Sequence, residues 1–356
     1  MNATSLSVFA LWTAALLYAI AMVAFSLRMA TLADLAVMAR RSAVADSAEE
    51  DSAEVDSAEA DSAAAPARTT AAAAAGHGTG RTSTVVRTAT RVLAPQRAAR
   101  ERAAARNLGI GRAATLVGAL MHAIGVVARG IDAGHVPWST MYEMTISGAL
   151  AGVVAFLVVQ ARRNVTYLAP GVTGFAAVSL GVALLVMYRS TTGLQPALQS
   201  YWLVIHVLVA VSAMGVLSVA AVASVLQLMQ HEREDGAAWT ARPRWRWLSE
   251  VPGTQVLEGV AFRLNAVGFV AWTFTLIAGA IWAEHSWGRY WGWDPKETWT
   301  LVIWLLYAAY LHARTTQGWS GRKAAWLSLA GFLAVMLNFT LVNLVFQGLH
   351  TYAKGS

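Results

Sequence analysis

The chain has 356 residues, of which 56% are hydrophobic and 13% charged, so its composition lies far from that of an average soluble protein. It contains no cysteine. That excludes a thiol relay, a structural disulfide and a cysteine-based zinc site, and leaves histidine and carboxylate as metal ligands. The composition therefore predicts a membrane protein that supplies no thiol chemistry of its own.

Apolar segments long enough to cross a bilayer, which takes about twenty residues each, recur along the chain. Eight transmembrane helices are predicted, at residues 6–27, 108–129, 144–161, 167–187, 201–229, 264–282, 299–313 and 324–349. The first is too long, and lacks the small-residue cleavage site, for a removed signal peptide, so residues 1–30 are predicted to remain as an anchor. The fold class predicted is an all-α integral membrane protein.

Basic residues predict the orientation of these helices. Of the 27 Lys and Arg residues, 22 lie in the connections 28–112, 162–163, 231–263 and 314–323. The positive-inside rule places these connections in the cytoplasm, so that both termini and the loop 282–299 face outward. The net charge of +7 is thus a signal of topology, and no nucleic-acid partner is predicted.

Residues 31–107 differ in composition from the rest of the chain. Units resembling Asp-Ser-Ala-Glu repeat every five residues between positions 46 and 65, and the following stretch to position 112 is rich in Arg, Ala and Thr. Such low apolar bulk predicts a disordered cytoplasmic linker, with its Arg-rich end near anionic lipid of the bilayer. Residues 108–352 then form the polytopic domain.

Aromatic residues concentrate in the connection 282–299. It holds five of the fifteen tryptophans, together with Tyr290. An ordinary interfacial belt needs fewer rings, so this density predicts a flat platform for a large planar ligand. Asp294, followed by Pro295 and Glu297, also fits a capping box that would start the next helix, and capping is compatible with ligand contact.

Three parts of this region carry a resemblance: Trp287-Gly288 with Tyr290-Trp291, the run Trp-Asp-Pro-Lys-Glu-Thr-Trp at 293–299, and Tyr-Leu-His at 310–312. They resemble the WWD signature of haem-handling proteins of cytochrome c maturation, and most closely the CcsA-type (CcsB- or ResC-like) subunits. The resemblance is good from residue 201 onward, looser over 108–187, and absent from 28–107. It implies delivery of haem b as cargo and its covalent attachment to apocytochrome c, as a haem lyase subunit, at the outer face of a bacterial plasma membrane.

Histidines are the candidate metal ligands. An ionisable group within a membrane helix indicates function, with a hydrogen bond to a neighbouring helix as the alternative. His206 and His350 are predicted at the outer ends of two helices, level with the aromatic loop, where two neutral imidazoles can coordinate one haem iron. The resemblance assigns them the external haem site and gives His312 a second haem position within the membrane. His122 is a further candidate for that inner position.

Other residues are predicted to contact the haem around its edge and faces. The candidates for contact with the haem ring are Trp287, Tyr290, Trp291 and Trp293, together with Asp294. His135 and His285 are weaker substitutes for the external iron ligands. Arg289 and Lys296 are predicted to pair with the propionates, lipid phosphate being the alternative partner. Glu284 and Glu297 are predicted to orient these two cations or a ligand imidazole. No residue is assigned as a catalytic acid, base or nucleophile.

The resemblance also implies partners. These are a CcsB- or ResB-type membrane subunit that supplies the other membrane haem ligand, an apocytochrome c with a Cys-x-x-Cys-His segment, and a thiol-reducing thioredoxin-like protein. Three other functions stay open at this point: a haem transporter or chaperone without ligation activity, a b-type electron-transfer cytochrome, and a structural assembly subunit without haem.

Overall fold

The computed structural model describes residues 2–63, 79–189, 200–316, 318–346 and 348–349. Over these residues the secondary structure is helical and contains no strand. The α-helices are α1 (Ala3–Ala63), α2 (Thr79–Ala133), α3 (Met141–Arg162), α4 (Ala169–Val182), α5 (Tyr201–Glu234), α6 (Thr254–Trp287), α7 (Pro295–Thr316), α8 (Arg322–Phe339) and α9 (Leu341–Val345). Short 3₁₀ or π segments cover Thr166–Leu168, Ala183–Met187 and Pro243–Glu250.

The chain divides into two units. One comprises Met1–Ser26 and Leu108–Ser356, and the other comprises Leu27–Asn107. Every candidate site residue that the structure describes lies in the first unit.

The early helices of the first unit pack through one buried cluster. Its members come from α1, α3, α4 and the π segment that follows α4: Leu11, Ala14, Ala15, Tyr18, Tyr142, Ile146, Val153, Ala176, Leu180 and Ala183. Ser7 on α1 donates a buried hydrogen bond of 2.8 Å to the Gly125 carbonyl on α2. Because lipid tails are as apolar as these side chains, close packing and such hydrogen bonds hold the helices together in a bilayer.

The later helices form a second bundle, with a core contributed by α5, α6, α7 and α8: Ala213, Leu217, Trp272, Ile303, Tyr307, Ala334 and Val335. Two tryptophans fasten α6 to α7. The Trp272 indole N–H donates to the Thr300 carbonyl at 3.1 Å, and the Trp304 indole N–H donates to the Thr273 hydroxyl at 2.9 Å. Each buried ring therefore has a partner for its polar edge.

Seven helices in the described part of the chain are long and apolar enough to cross a bilayer, where the sequence predicts eight. They are Ala3–Val44, Ala94–Ala133, Met141–Arg162, Thr166–Met187, Tyr201–Glu234, Thr254–Trp287 and Arg322–Val345. The predicted span 299–313 is a helix, α7, but it is not among the seven. Its apolar run is interrupted by Trp and Tyr and ends in His312 and Arg314, which lowers its hydropathy.

The linker predicted at residues 31–107 overlaps two helices in the part that the structure describes, and its disorder stays a prediction. Helix α1 continues to Ala63 and α2 begins at Thr79. Alanine and arginine, the two commonest residues of this stretch, are strong helix formers, so local propensity favours helix where apolar burial is small. Residues 64–78 of the predicted linker lie outside the described residues.

Candidate functional site

A cavity of about 360 Å³ lies among α5, α6, α7, α8 and α9 and the segment that leads into α3. Its volume falls within the usual range of about 300–1,000 Å³ for small-molecule sites. Most lining side chains are apolar, for example Val207, Met214 and Leu276, and a few polar groups converge on it. The candidate residues that line it are His206, Tyr290, Trp291, Lys296, Glu297 and His135.

His206 stands in the second turn of α5, with its ring directed at α6. Its Nδ1 lies 2.9 Å from the carbonyl oxygen of Thr275. A carbonyl oxygen only accepts, so Nδ1 carries the proton and the lone pair of the neutral ring is on Nε2. Metal-binding histidines are commonly oriented by such a bond from the other ring nitrogen. The tautomer at His206 therefore suits coordination of a metal through Nε2.

Two further residues of α6 determine the position of the His206 imidazole. A Cβ at Gly279 would lie 2.8 Å from His206 Cε1, so glycine is needed for the imidazole to approach the helix this closely. The Trp282 indole is stacked with the imidazole at an interplanar angle of 10° and a centroid distance of 6.0 Å. Thr275, Gly279 and Trp282 are spaced four and three residues apart and so share one face of α6.

Lys296 forms the cationic part of the cavity wall. Its Nζ donates to the Asn338 carbonyl at 3.0 Å and to Asn343 Oδ1 at 2.7 Å, which ties the start of α7 to α8 and α9. Burial lowers the pKa of Lys296 to about 7, because the ammonium loses water, while the charge of Asp294 acts in the opposite direction. The cavity therefore contains an amine whose charged form a carboxylate ligand would stabilise.

The capping box predicted at the start of α7 is confirmed. Asp294 Oδ1 accepts from the Lys296 amide at 3.0 Å, and Glu297 Oε2 accepts from the Asp294 amide at 3.1 Å. Asp294 Oδ2 also accepts from the Leu349 amide at 2.7 Å. Gly348 permits this contact, because a Cβ there would collide with the carboxylate. Asp294 thus fixes both the first turn of α7 and the backbone immediately before position 350.

The flat aromatic platform predicted for the loop is wrong. Trp287 packs edge to face against Trp282 at 4.7 Å and 64°. Trp291 and Trp293 are perpendicular, at 89°, so both cannot stack on the same face of one planar ligand. Trp293 is 70% exposed, with a left-handed backbone (φ 59°). The turn geometry between α6 and α7 separates rings that are close in sequence.

Several other predicted residues lie elsewhere. Arg289 is exposed and folds back onto the Gly292 carbonyl at 3.4 Å. His285 is also exposed and lies 3.2 Å from Glu284. His312 is exposed near the end of α7. His350 lies outside the described residues.

His122 is enclosed by three helices of the first bundle. Its Nε2 lies 2.9 Å from the Ile146 carbonyl, so Nε2 donates, and its Nδ1 lies 3.3 Å from the Tyr18 hydroxyl, which can donate to it. The side chain has no exposed surface. Both ring nitrogens are thereby used in packing α1, α2 and α3, which favours the structural alternative for this residue.

Five residues of the site were not singled out as site residues in the sequence. The face formed by Thr275, Gly279 and Trp282 has a helical spacing that could have pointed to it, but not to His206 as its partner. Asn338 and Asn343 are polar residues in an apolar span, which is a signal of function in membrane helices.

These features define a class of protein: a multi-pass membrane protein in which a histidine lines a cavity beside a tryptophan-rich connection. Residues 138–350 match the cytochrome c assembly protein family. The cytochrome c biogenesis protein CcsA of Gloeothece citriformis is 32% identical over 289 residues, which covers 68% of this chain and 87% of that protein. CcsA of Crocosphaera subtropica is 33% identical over 278 residues, 63% of this chain and 82% of the relative.

The chain therefore belongs to the CcsA-type cytochrome c biogenesis proteins of the cytochrome c assembly family. Its role lies in cytochrome c biogenesis, and the family role implies that it handles haem.

Proposed function

We propose that the cavity binds haem b through His206 and that the chain, as a synthetase subunit, attaches this haem covalently to apocytochrome c. The observation that carries the proposal is the setting of His206, which lines the cavity and is oriented by the Thr275 carbonyl at 2.9 Å. A neutral imidazole presented through Nε2 is a good ligand for iron, and the surrounding apolar wall suits a porphyrin.

The second axial ligand in this proposal is His350. Support comes from its chain neighbour Leu349, whose amide is bonded to Asp294 at the start of α7. That bond holds the chain end beside the turn that also contributes Trp291 and Lys296 to the cavity. His135, which lines the same cavity, is the alternative ligand.

We assign a propionate of the haem to Lys296 rather than to Arg289. Lys296 lines the cavity, and its Asn338 and Asn343 contacts hold the ammonium there. Arg289 is exposed on the surface of the loop and suits lipid phosphate better. The faces of the haem ring would contact Trp291 and Tyr290. Trp282 stacks with His206, and Trp287 packs against Trp282.

The chemistry to be promoted is addition of a client thiol to a haem vinyl group. Each S–H bond breaks, sulfur bonds to one vinyl carbon and hydrogen to the other, so the addition is redox-neutral. The chain positions the vinyl groups, keeps water away with its apolar wall and holds the iron with histidine. The client histidine of the Cys-x-x-Cys-His segment would replace one protein ligand, and a thioredoxin-like partner would keep the client thiols reduced.

His312 belongs, in this proposal, to a second haem position. It is exposed on α7, where a ligand from a ResB-type partner subunit can face it. By the positive-inside rule the basic connections favour the cytoplasmic side, and the cavity would then open at the outer face of a bacterial plasma membrane. Haem would then pass from His312 toward His206.

The test is formation of a c-type product by the purified chain together with its partner subunit. The purified pair is loaded with haem and mixed with a reduced peptide containing Cys-x-x-Cys-His, and thioether products are quantified by haem staining after denaturation. The proposal expects product with wild type, none with His206→Ala, and a wild-type yield with the exposed control His285→Ala. Haem that binds through His206 but is never attached would indicate a transporter or chaperone instead.

A further inference from the structure

A buried ion pair lies next to the cavity, outside the set of residues discussed above. Arg129, near the end of α2, donates from Nε to Glu143 Oε1 on α3 at 2.9 Å. The two side chains are 2% and 1% exposed. Arg129 also donates from Nη2 to the Arg189 carbonyl at 3.0 Å and lies over the Tyr142 ring at 5.2 Å. The buried Arg129 guanidinium therefore contacts a carboxylate, a main-chain carbonyl and an aromatic ring.

The other oxygen of Glu143 holds the backbone that forms part of the cavity wall. Glu143 Oε2 accepts from the Ser139 amide at 2.9 Å and from its hydroxyl at 2.8 Å. Ser139 lines the cavity together with the residues on either side of it, Trp138 and Thr140. A second bond, from the Ser147 hydroxyl to the Pro137 carbonyl at 2.9 Å, fixes the same segment.

This segment connects with His206 through packed rings. Trp138 packs against a buried cluster to which Leu203, Val207 and Trp282 belong, and Trp282 is the ring that stacks with His206. A shift of the Ser139 backbone would therefore move Trp138 and loosen the wall beside the histidine.

Stability alone does not account for a pair of this kind. Replacing both partners of a buried ion pair with apolar side chains of similar volume is often neutral or stabilising, whereas removing one partner is strongly destabilising. What an apolar pair cannot do is accept the two hydrogen bonds from Ser139. Those bonds need a carboxylate at position 143, and a buried carboxylate in turn needs the Arg129 guanidinium as its partner.

We propose that Arg129 and Glu143 are positioning residues, whose pair fixes segment 134–140 as the wall of the haem cavity and thereby sets the affinity for haem at His206. The inference rests on the proposed function for its ligand, and on the geometry of the haem-free protein for the wall itself.

The experiment compares Arg129→Met/Glu143→Met with wild type in detergent or nanodiscs. Two quantities are measured: hydrogen exchange of the peptide covering 134–141 without haem, and haem affinity by absorbance titration. The proposal expects a folded protein with a cooperative thermal transition, faster exchange in that peptide than in wild type, and an affinity about tenfold lower, the scale of effects on metal sites from residues that orient a ligand. Ser139→Ala, which removes only the hydroxyl bond, should show a smaller loss.

The control is Asn265→Leu/Ser328→Ala, which removes both partners of another buried polar contact. In wild type Asn265 Nδ2 donates to Ser328 Oγ at 2.8 Å, and neither residue lines the cavity. The control should leave both exchange and affinity unchanged. Wild-type exchange and affinity in the Met/Met protein, or an equal affinity loss in the control, would overturn the proposal. If His206→Ala binds haem as tightly as wild type, the proposed function fails. The exchange measurement would still decide whether the Arg129–Glu143 pair fixes segment 134–140.

Discussion

His206 and His122 both point a ring nitrogen at a main-chain carbonyl of a neighbouring helix, and both distances are 2.9 Å. They differ in what surrounds the rest of the ring. His122 has no exposed surface and its second nitrogen faces the Tyr18 hydroxyl, whereas His206 lines a cavity of about 360 Å³. A histidine in a membrane helix is therefore a ligand candidate only where there is room for a ligand beside it.

The largest effect expected from this comparison is on stability at His122. His122→Leu should leave the Tyr18 hydroxyl without its partner in the interior, at a cost of about 1–3 kcal/mol for the unsatisfied group, and should also remove the bond to the Ile146 carbonyl. The free energy of unfolding should fall accordingly in thermal or denaturant unfolding. Haem bound per folded molecule should stay at the wild-type level. Loss of haem with unchanged stability would reverse the roles given to the two histidines.

A smaller effect, on affinity, is expected at Gly279. In Gly279→Ala the new methyl group would lie 2.8 Å from His206 Cε1 and displace the imidazole. Haem affinity should fall by about tenfold, since misorienting a metal-binding histidine commonly costs that much.

Gly259→Ala is the matched control for Gly279→Ala, because it lies on the same helix and its Cβ would meet nothing within 4 Å. An absorbance titration measures both variants, and equal affinities would contradict the role given to Gly279.

The smallest effect expected is a pH dependence at Lys296. Its pKa is lowered to about 7 by burial, and a bound propionate would raise it again, so haem binding takes up a proton. The contribution of Lys296 to the affinity should be constant well below pH 7 and fall as pH rises above 7, by at most about tenfold per unit. The fall should end once the pKa of the complex is passed. Lys296→Arg, which stays charged, should abolish the fall between pH 7 and 9; a fall of the same size in that variant would contradict the assignment.

Much of the fold follows from the sequence because it is written in local patterns. Seven of the eight predicted spans are helical throughout, since long apolar runs with few breakers form helices in this composition. The last, 324–349, is interrupted at Thr340 and its final helix ends at Val345. The cap of α7 was also predictable, because Asp294, Pro295 and Glu297 act within one turn. The continuation of α1 to Ala63 is harder to derive, because low apolar content predicts a linker there whereas the helix propensity of alanine favours helix.

The candidate site was only partly predictable, since it depends on which helix faces meet. The sequence placed His206 near the start of its helix but did not indicate that Gly279 would receive its ring. The aromatic loop indicated a ligand, yet the orientations of Trp291 and Trp293 follow from turn geometry that no spacing rule gives. The partners of His122 come from two helices, α1 and α3, that are distant in sequence from each other.

The most direct measurement is the absorption spectrum of the purified chain with haem, for wild type, His206→Ala, His350→Ala and the exposed control His285→Ala. We predict a six-coordinate spectrum in wild type and the control, its loss in His206→Ala and His350→Ala, and its recovery in both when imidazole is added. An unchanged spectrum in His206→Ala would contradict the central claim that the cavity beside α6 binds haem through this residue.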